Sequence, residues 1–140
     1  MKAGIRYDSD LIRDMLEDHR TLLAIYGSLV KSVEARDELA FYIQLGEFKS
    51  ILVAHLLKEA VKLYIYLRKN QKDDENTYQL VTAYKSEMDG ISRVAMKFVD
   101  DYSEKSLIGV DYVQLSIRIK EIGWLLGDRI RREESELYPL

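Results

Sequence analysis

An all-α, antiparallel up-down four-helix bundle is predicted from three features of this 140-residue chain. Apolar residues recur at alternating three- and four-residue steps along four long segments, the spacing of one helix face. The single proline, Pro139, stands at the C-terminus, so nothing breaks a segment internally. The stretches between segments are short and polar, which makes consecutive helices antiparallel neighbours.

The first helix is expected over 9–35, with Ile12, Met15, His19, Leu22, Tyr26, Leu29 and Val33 on its seam. Asp8 or Ser9 supplies the N-cap. The second runs over 38–69 behind Asp37, with Phe41, Leu45, Phe48, Leu52, His55, Glu59, Leu63 and Tyr66 in line. The third, over 74–102 and opened by Asp74, carries Thr77, Val81, Tyr84, Met88, Ile91, Ala95 and Phe98. The fourth, over 111–137 and opened by Asp111, carries Leu115, Ile119, Ile122, Leu126, Arg129, Glu133 and Leu137. Stretches 68–76 and 103–109 are the longer connections. Gly27, Gly46, Gly90, Gly123 and Gly127 fall inside helices at a propensity cost of about 1 kcal/mol each, so they are expected where helices approach closely.

Composition narrows the function. Hydrophobic residues make up 47% and charged residues 32%, the balance of a globular chain, and 140 residues suit one domain over 1–140. A net charge of −3 offers no basic field for nucleic acid. The absence of cysteine excludes disulfides, thiol catalysis and thiolate metal sites, and fits a cytoplasmic setting. No run approaches membrane-spanning length, and the polar residues 1–9 hold no signal-like apolar block.

The polar members of the seams carry the chemistry, because an unpartnered histidine or glutamate in a core is costly. His19 lies about 17 residues before the first turn and His55 about 18 after it, so at about 1.5 Å per residue they come level. Met88 falls near that height and Arg129 within about one turn of it. Glu59 follows His55 by four and Glu133 follows Arg129 by four, placing each on its neighbour's face. His19, His55, Glu59, Arg129 and Glu133 therefore form one polar layer, with Met88 beside it. Inward histidines and carboxylates in a four-helix bundle are one way to hold iron or manganese.

Three fragments resemble the hemerythrin-like HHE family: Asp18-His19-Arg20 before Leu22-Leu23, Phe48-x-x-x-Leu52-x-x-His55-x-x-x-Glu59 running to Leu63-Tyr64, and Glu133-Glu134-x-x-Leu137-Tyr138-Pro139. The resemblance implies a two-metal centre held by about five histidines and bridged by two carboxylates. Met88 and Arg129 stand where that pattern has further histidines, so the resemblance leaves a reduced, mononuclear iron or manganese site of His19, His55, Glu59 and Glu133. Arginine cannot ligate a cation, and Arg129 would stand in for the lost metal's charge.

The apolar framework also resembles the Rsd/AlgQ family of bacterial regulators. The matching pieces are Leu22-Leu23-x-x-Tyr26-x-x-Leu29-Val30, Phe48-x-x-x-Leu52-Val53 with apolar positions to Tyr66-Leu67, and Ile122-Gly123-x-x-Leu126-x-x-Arg129 ahead of Glu133-Glu134. Met96 and Tyr112 keep their spacing to that arginine. Ala54-His55, Glu59-Ala60-Val61 and Leu16 depart from the pattern. This resemblance implies a non-enzymatic anti-sigma factor in transcription regulation, acting by protein–protein interaction without a cofactor. No phosphate loop, nucleophile elbow or serine placed beside both a histidine and an acid argues for an enzyme. Trp124, off the strict seam, is the candidate partner-binding residue, and self-association is a further option. The preferred expectation is the regulator with no cofactor; the alternative is the metal protein in redox or metal sensing. Arg129 is expected to separate the two, a buried salt-bridged arginine favouring the regulator.

Overall fold

The computed structural model describes residues 9–64, 75–103 and 109–139. Among these there are four α-helices and no strand: α1 (Ser9–Ala35), α2 (Glu38–Lys58), α3 (Glu75–Ser103) and α4 (Tyr112–Arg132). Two π-helical segments, Glu59–Tyr64 and Glu133–Leu137, extend α2 and α4. α1 packs on α2 and α4, and α3 packs on the same two. Arg118 pairs with Asp101 and Arg129 with Glu87, so α4 climbs as α3 descends; the four-helix bundle is the expected one.

The caps show why the helices begin where they do. Asp37 accepts from Ala40 N at 3.1 Å, and Asp111 accepts from Val113 N and Gln114 N. Arg36 closes α1 in the left-handed region at φ 52°, which lets two residues reverse the chain. Asp8, Asp74, Tyr66 and stretch 65–69 lie outside the described residues, as do the side chains of Leu63 and Thr77. Asn76 and Ser103, expected in connections, belong to α3.

Two apolar clusters fill the interior. The larger joins Leu22, Leu29, Phe41, Phe48, Leu52, Phe98, Leu115 and Ile122 with their neighbours. The smaller joins Leu11, Met15, Val81, Tyr84, Leu137 and Tyr138. Burying each large apolar side chain is worth about 1.5–3 kcal/mol. Between the two clusters the interior is polar: His19, His55, Glu59, Arg129 and Glu133 are all buried.

α2 is apolar on two faces. Phe41, Leu45, Phe48 and Leu52 point into the core, while Leu39, Ile43, Val53 and Leu57 point outward. No helix among the described residues is long and apolar enough to cross a membrane.

Of the interior glycines, Gly123 alone fits the expectation of close approach. A Cβ there would overlap the ring of Tyr26, whose hydroxyl donates to Ile119 O across the α1–α4 contact. At Gly27, Gly46 and Gly127 a Cβ would meet nothing, and at Gly90 only the far end of Arg93.

Candidate metal centre

His19 from α1, His55 from α2 and the two carboxylates that open the π-helical segments converge on one point. One ligating atom from each of His19, His55, Glu59 and Glu133 lies within 4.8 Å of all the others. Donors about 2.0–2.2 Å from a shared ion stand at most about 4.4 Å apart, so the cluster is close to coordination size. His19 Nε2 is 3.1 Å from Glu133 Oε1, and His55 Nε2 is 2.9 Å from Glu59 Oε1.

The outer nitrogens decide what the inner ones present. His19 Nδ1 is 2.7 Å from Glu134 Oε2, and His55 Nδ1 is 2.9 Å from Asp18 Oδ2, which Lys58 also holds at 2.9 Å. A carboxylate only accepts, so each Nδ1 carries a proton, and it is the neutral form of each ring that would turn a lone pair inward from Nε2. Carboxylate behind histidine is the arrangement that orients metal-ligating imidazoles. Inside the cluster acceptors then face acceptors. His55 Nε2 has ion-pair distance to Glu59 without hydrogen-bond direction, and Glu133 Oε2 stands likewise to Arg129.

Positive charge is what this arrangement lacks. Lys58 balances Asp18 and Arg132 balances Glu87, which leaves Glu59, Glu133 and Glu134 against Arg129. A divalent cation would neutralise the excess. Without one, protons take its place. Burial pulls the pKa of His55 down, but Glu59 and Asp18 outweigh it and hold it at about 9. Burial also opposes charge on Glu59, yet hydrogen bonding and the charges of His55 and Arg129 keep its pKa low, at about 2. Glu133 is pushed up to about 7 by burial and by the charge of Glu59, against its hydrogen bond to His19.

Arg129 is 1% exposed and paired, as expected of a core arginine. Its Nη1 donates to Tyr84 O at 2.8 Å and to Glu87 at 3.0 Å, and its guanidinium lies over the Tyr84 ring. Its Nε turns to the cluster, 3.2 Å from Glu133 Oε2. Arg129 thus braces Glu133 from behind and leaves the other carboxylate oxygen facing His19. A buried, paired Arg129 is compatible with a cation and does not separate the two readings.

The structure brings together all five residues expected in the polar layer. Met88 is buried and, with Leu56, Glu59, Lys85, Asp89 and Ser92, lines a cavity of about 90 Å³ that reaches Glu59 between α2 and α3. Trp124 is 70% exposed and takes no part in the layer's contacts described above. Sequence reasoning gave no role to Asp18 and Glu134, each one residue away from a seam position, nor to Tyr138. Tyr138 is part of the centre: its hydroxyl lies 3.0 Å from His19 Nε2 and 3.4 Å from Glu59 Oε1. The signal that could have found it is its position five residues after Glu133, the repeat of a π-helical turn.

A helical bundle with two carboxylate-backed imidazoles and two carboxylates aimed at one buried point belongs to the class of cation-binding four-helix proteins. The family description "hemerythrin HHE cation binding domain" matches residues 10–140, and the chain belongs to that family. No curated protein and no solved structure matches it. The expectation of no cofactor is thereby corrected: family membership and the buried His/Glu group both favour a bound cation. The physical reason is that the single charge of Arg129, shared between Glu87 and Glu133, falls short of the negative charge of Glu59, Glu133 and Glu134.

Proposed function

We propose that the chain holds one iron or manganese ion between His19, His55, Glu59 and Glu133, and serves in redox or metal sensing rather than as an enzyme. The observation that carries this is the inward pair of Nε2 atoms, each on a ring held by a carboxylate at Nδ1 and each facing a buried carboxylate oxygen. Two imidazoles with two carboxylates suit iron and manganese, and the set lacks the thiolates that favour softer ions. A single set of ligands fits one ion rather than two, because Met88 and Arg129 occupy the corresponding places on α3 and α4. The bound ion would supply a redox couple or a sensed charge. The chain's own residues orient the imidazoles, exclude bulk water with the apolar clusters on either side, and release protons from His55 and Glu133 on loading. A cytoplasmic setting is part of this proposal.

Elemental analysis of the untagged protein, purified without chelator and again after iron and manganese loading, tests it. About one ion per chain, lost on changing His19 and His55 to alanine, is the expected result. No stoichiometric metal after either loading would leave a purely structural polar layer.

A second reading, binding of a sigma factor or another transcription component, draws on the Rsd/AlgQ resemblance. It is favoured by the exposed Trp124 and by the outward apolar face of α2 at Leu39, Ile43, Val53 and Leu57. Pull-down with purified sigma factor, repeated with Ile43→Glu and Trp124→Ser, tests it. Failure of the unaltered chain to retain sigma would remove the reading.

A further inference from the structure

We propose that the Tyr138 hydroxyl is a fifth donor to the ion and that it makes the centre a ferric one. The inference rests on the metal-binding reading above and adds a ligand that reading does not contain.

Tyr138 is 4% exposed, and its ring stacks on His19 with centroids 5.5 Å apart and planes 16° from parallel. Its oxygen reaches two of the converging atoms, 3.0 Å from His19 Nε2 and 3.4 Å from Glu59 Oε1. Neighbouring donors at right angles around an ion with bonds of about 2.0–2.2 Å stand about 2.8–3.1 Å apart. Three of the separations, Glu133–His19 at 3.1 Å, His19–Tyr138 at 3.0 Å and Glu59–His55 at 2.9 Å, have the length of edges of one coordination shell, and Tyr138–Glu59 at 3.4 Å is slightly longer. Tyr138 touches both halves of it, His19 on one side and Glu59 on the other.

The backbone is built to place this oxygen. Tyr138 N donates to Glu133 O at 2.8 Å, a bond spanning five residues. In a continuous α-helix, residues five apart point about 140° away from one another. The π-helical segment winds more loosely and returns Tyr138 to the face of Glu133.

Five donors, two nitrogens and three oxygens, form a hard set. Two carboxylates and a phenolate also balance a trivalent ion, so the buried centre is neutral when ferric iron is bound. On binding, the phenolic O–H bond breaks, an oxygen–iron bond forms, and the proton leaves to solvent by way of the cavity beside Glu59.

Titration of the untagged protein with ferric nitrilotriacetate, followed by iron counting, visible absorption and resonance Raman scattering, tests the assignment. The expected wild-type result is bound iron with a visible phenolate-to-iron charge-transfer band and enhanced tyrosine ring modes. Tyr138→Phe should keep iron and lose the band, while Tyr84→Phe should keep both. Iron bound by wild type without the band, or a band surviving in Tyr138→Phe, would overturn the tyrosine assignment and leave the four-ligand reading standing. Absence of bound iron in wild type, with manganese bound instead, would overturn the ferric proposal alone; absence of both metals would overturn both readings. The Raman signature is read on wild type, so the proposal stays falsifiable even where Tyr138→Phe does not fold.

Discussion

Single residues divide here into those that face the cluster and those that hold them in place. Arg129 belongs to the second kind, and Arg129→Met should destabilise the metal-free protein by about 3–5 kcal/mol, because it strands the buried Glu133 and leaves Glu87 with Arg132 alone of its two arginines. Urea unfolding measures this, and a loss below about 1 kcal/mol would mean the arginine is not balancing a buried charge. Asp18→Asn keeps all the ligands but removes the carboxylate behind His55. It should weaken metal binding about 10–100-fold, by competition with a chelator of known affinity. Unchanged affinity would show that Asp18 serves only its ion pair with Lys58. His19, His55, Glu59 and Glu133 were legible in the sequence because they stand on the apolar seams. Asp18 and Glu134 were not, since next to a seam residue a helical carboxylate points to a flank, where most such groups are merely solvated.

Among the elements, the helix ends at the centre depart from simple periodicity. α2 and α4 both change from α- to π-helical winding at their carboxylate of the cluster, Glu59 in one and Glu133 in the other. Single-turn π segments are uncommon and gather at functional sites. An extra residue within a turn re-aims everything after it, and here it carries Tyr138 inward. The apolar spacing of Leu126, Arg129, Glu133 and Leu137 continues smoothly through this region, so the change of winding was hidden from the pattern. Glycines give a sharper test at this scale. Gly123→Ala should destabilise by about 1–3 kcal/mol, because its methyl displaces the Tyr26 ring from the α1–α4 contact. Gly46→Ala should stabilise by about 0.5–1 kcal/mol, since its site is open and alanine favours the helix. Thermal unfolding of both variants decides it, and equal signs would contradict the packing described here.

Across the whole molecule, two apolar clusters enclose one polar layer, so an ion bound there would couple to folding. A cation that binds the folded chain alone, at about a hundred times its dissociation constant, adds about 2.7 kcal/mol. For a chain of this size that raises the melting temperature by about 10 °C, and a chelator should reverse the rise. A melting temperature indifferent to iron, manganese and chelator would show that no ion couples to the fold. The chain order alone determined the bundle, its four seams and the level at which His19, His55, Glu59, Arg129 and Glu133 meet, because helical periodicity and antiparallel connection are arithmetic on residue positions. The tertiary structure decided which side of that layer Arg129 serves, which carboxylates stand behind the imidazoles and that Tyr138 joins them. Those are matters of side-chain direction and local winding, set by contacts between residues more than 30 positions apart: His55 with Asp18 at 37, Arg129 with Glu87 at 42 and His19 with Tyr138 at 119.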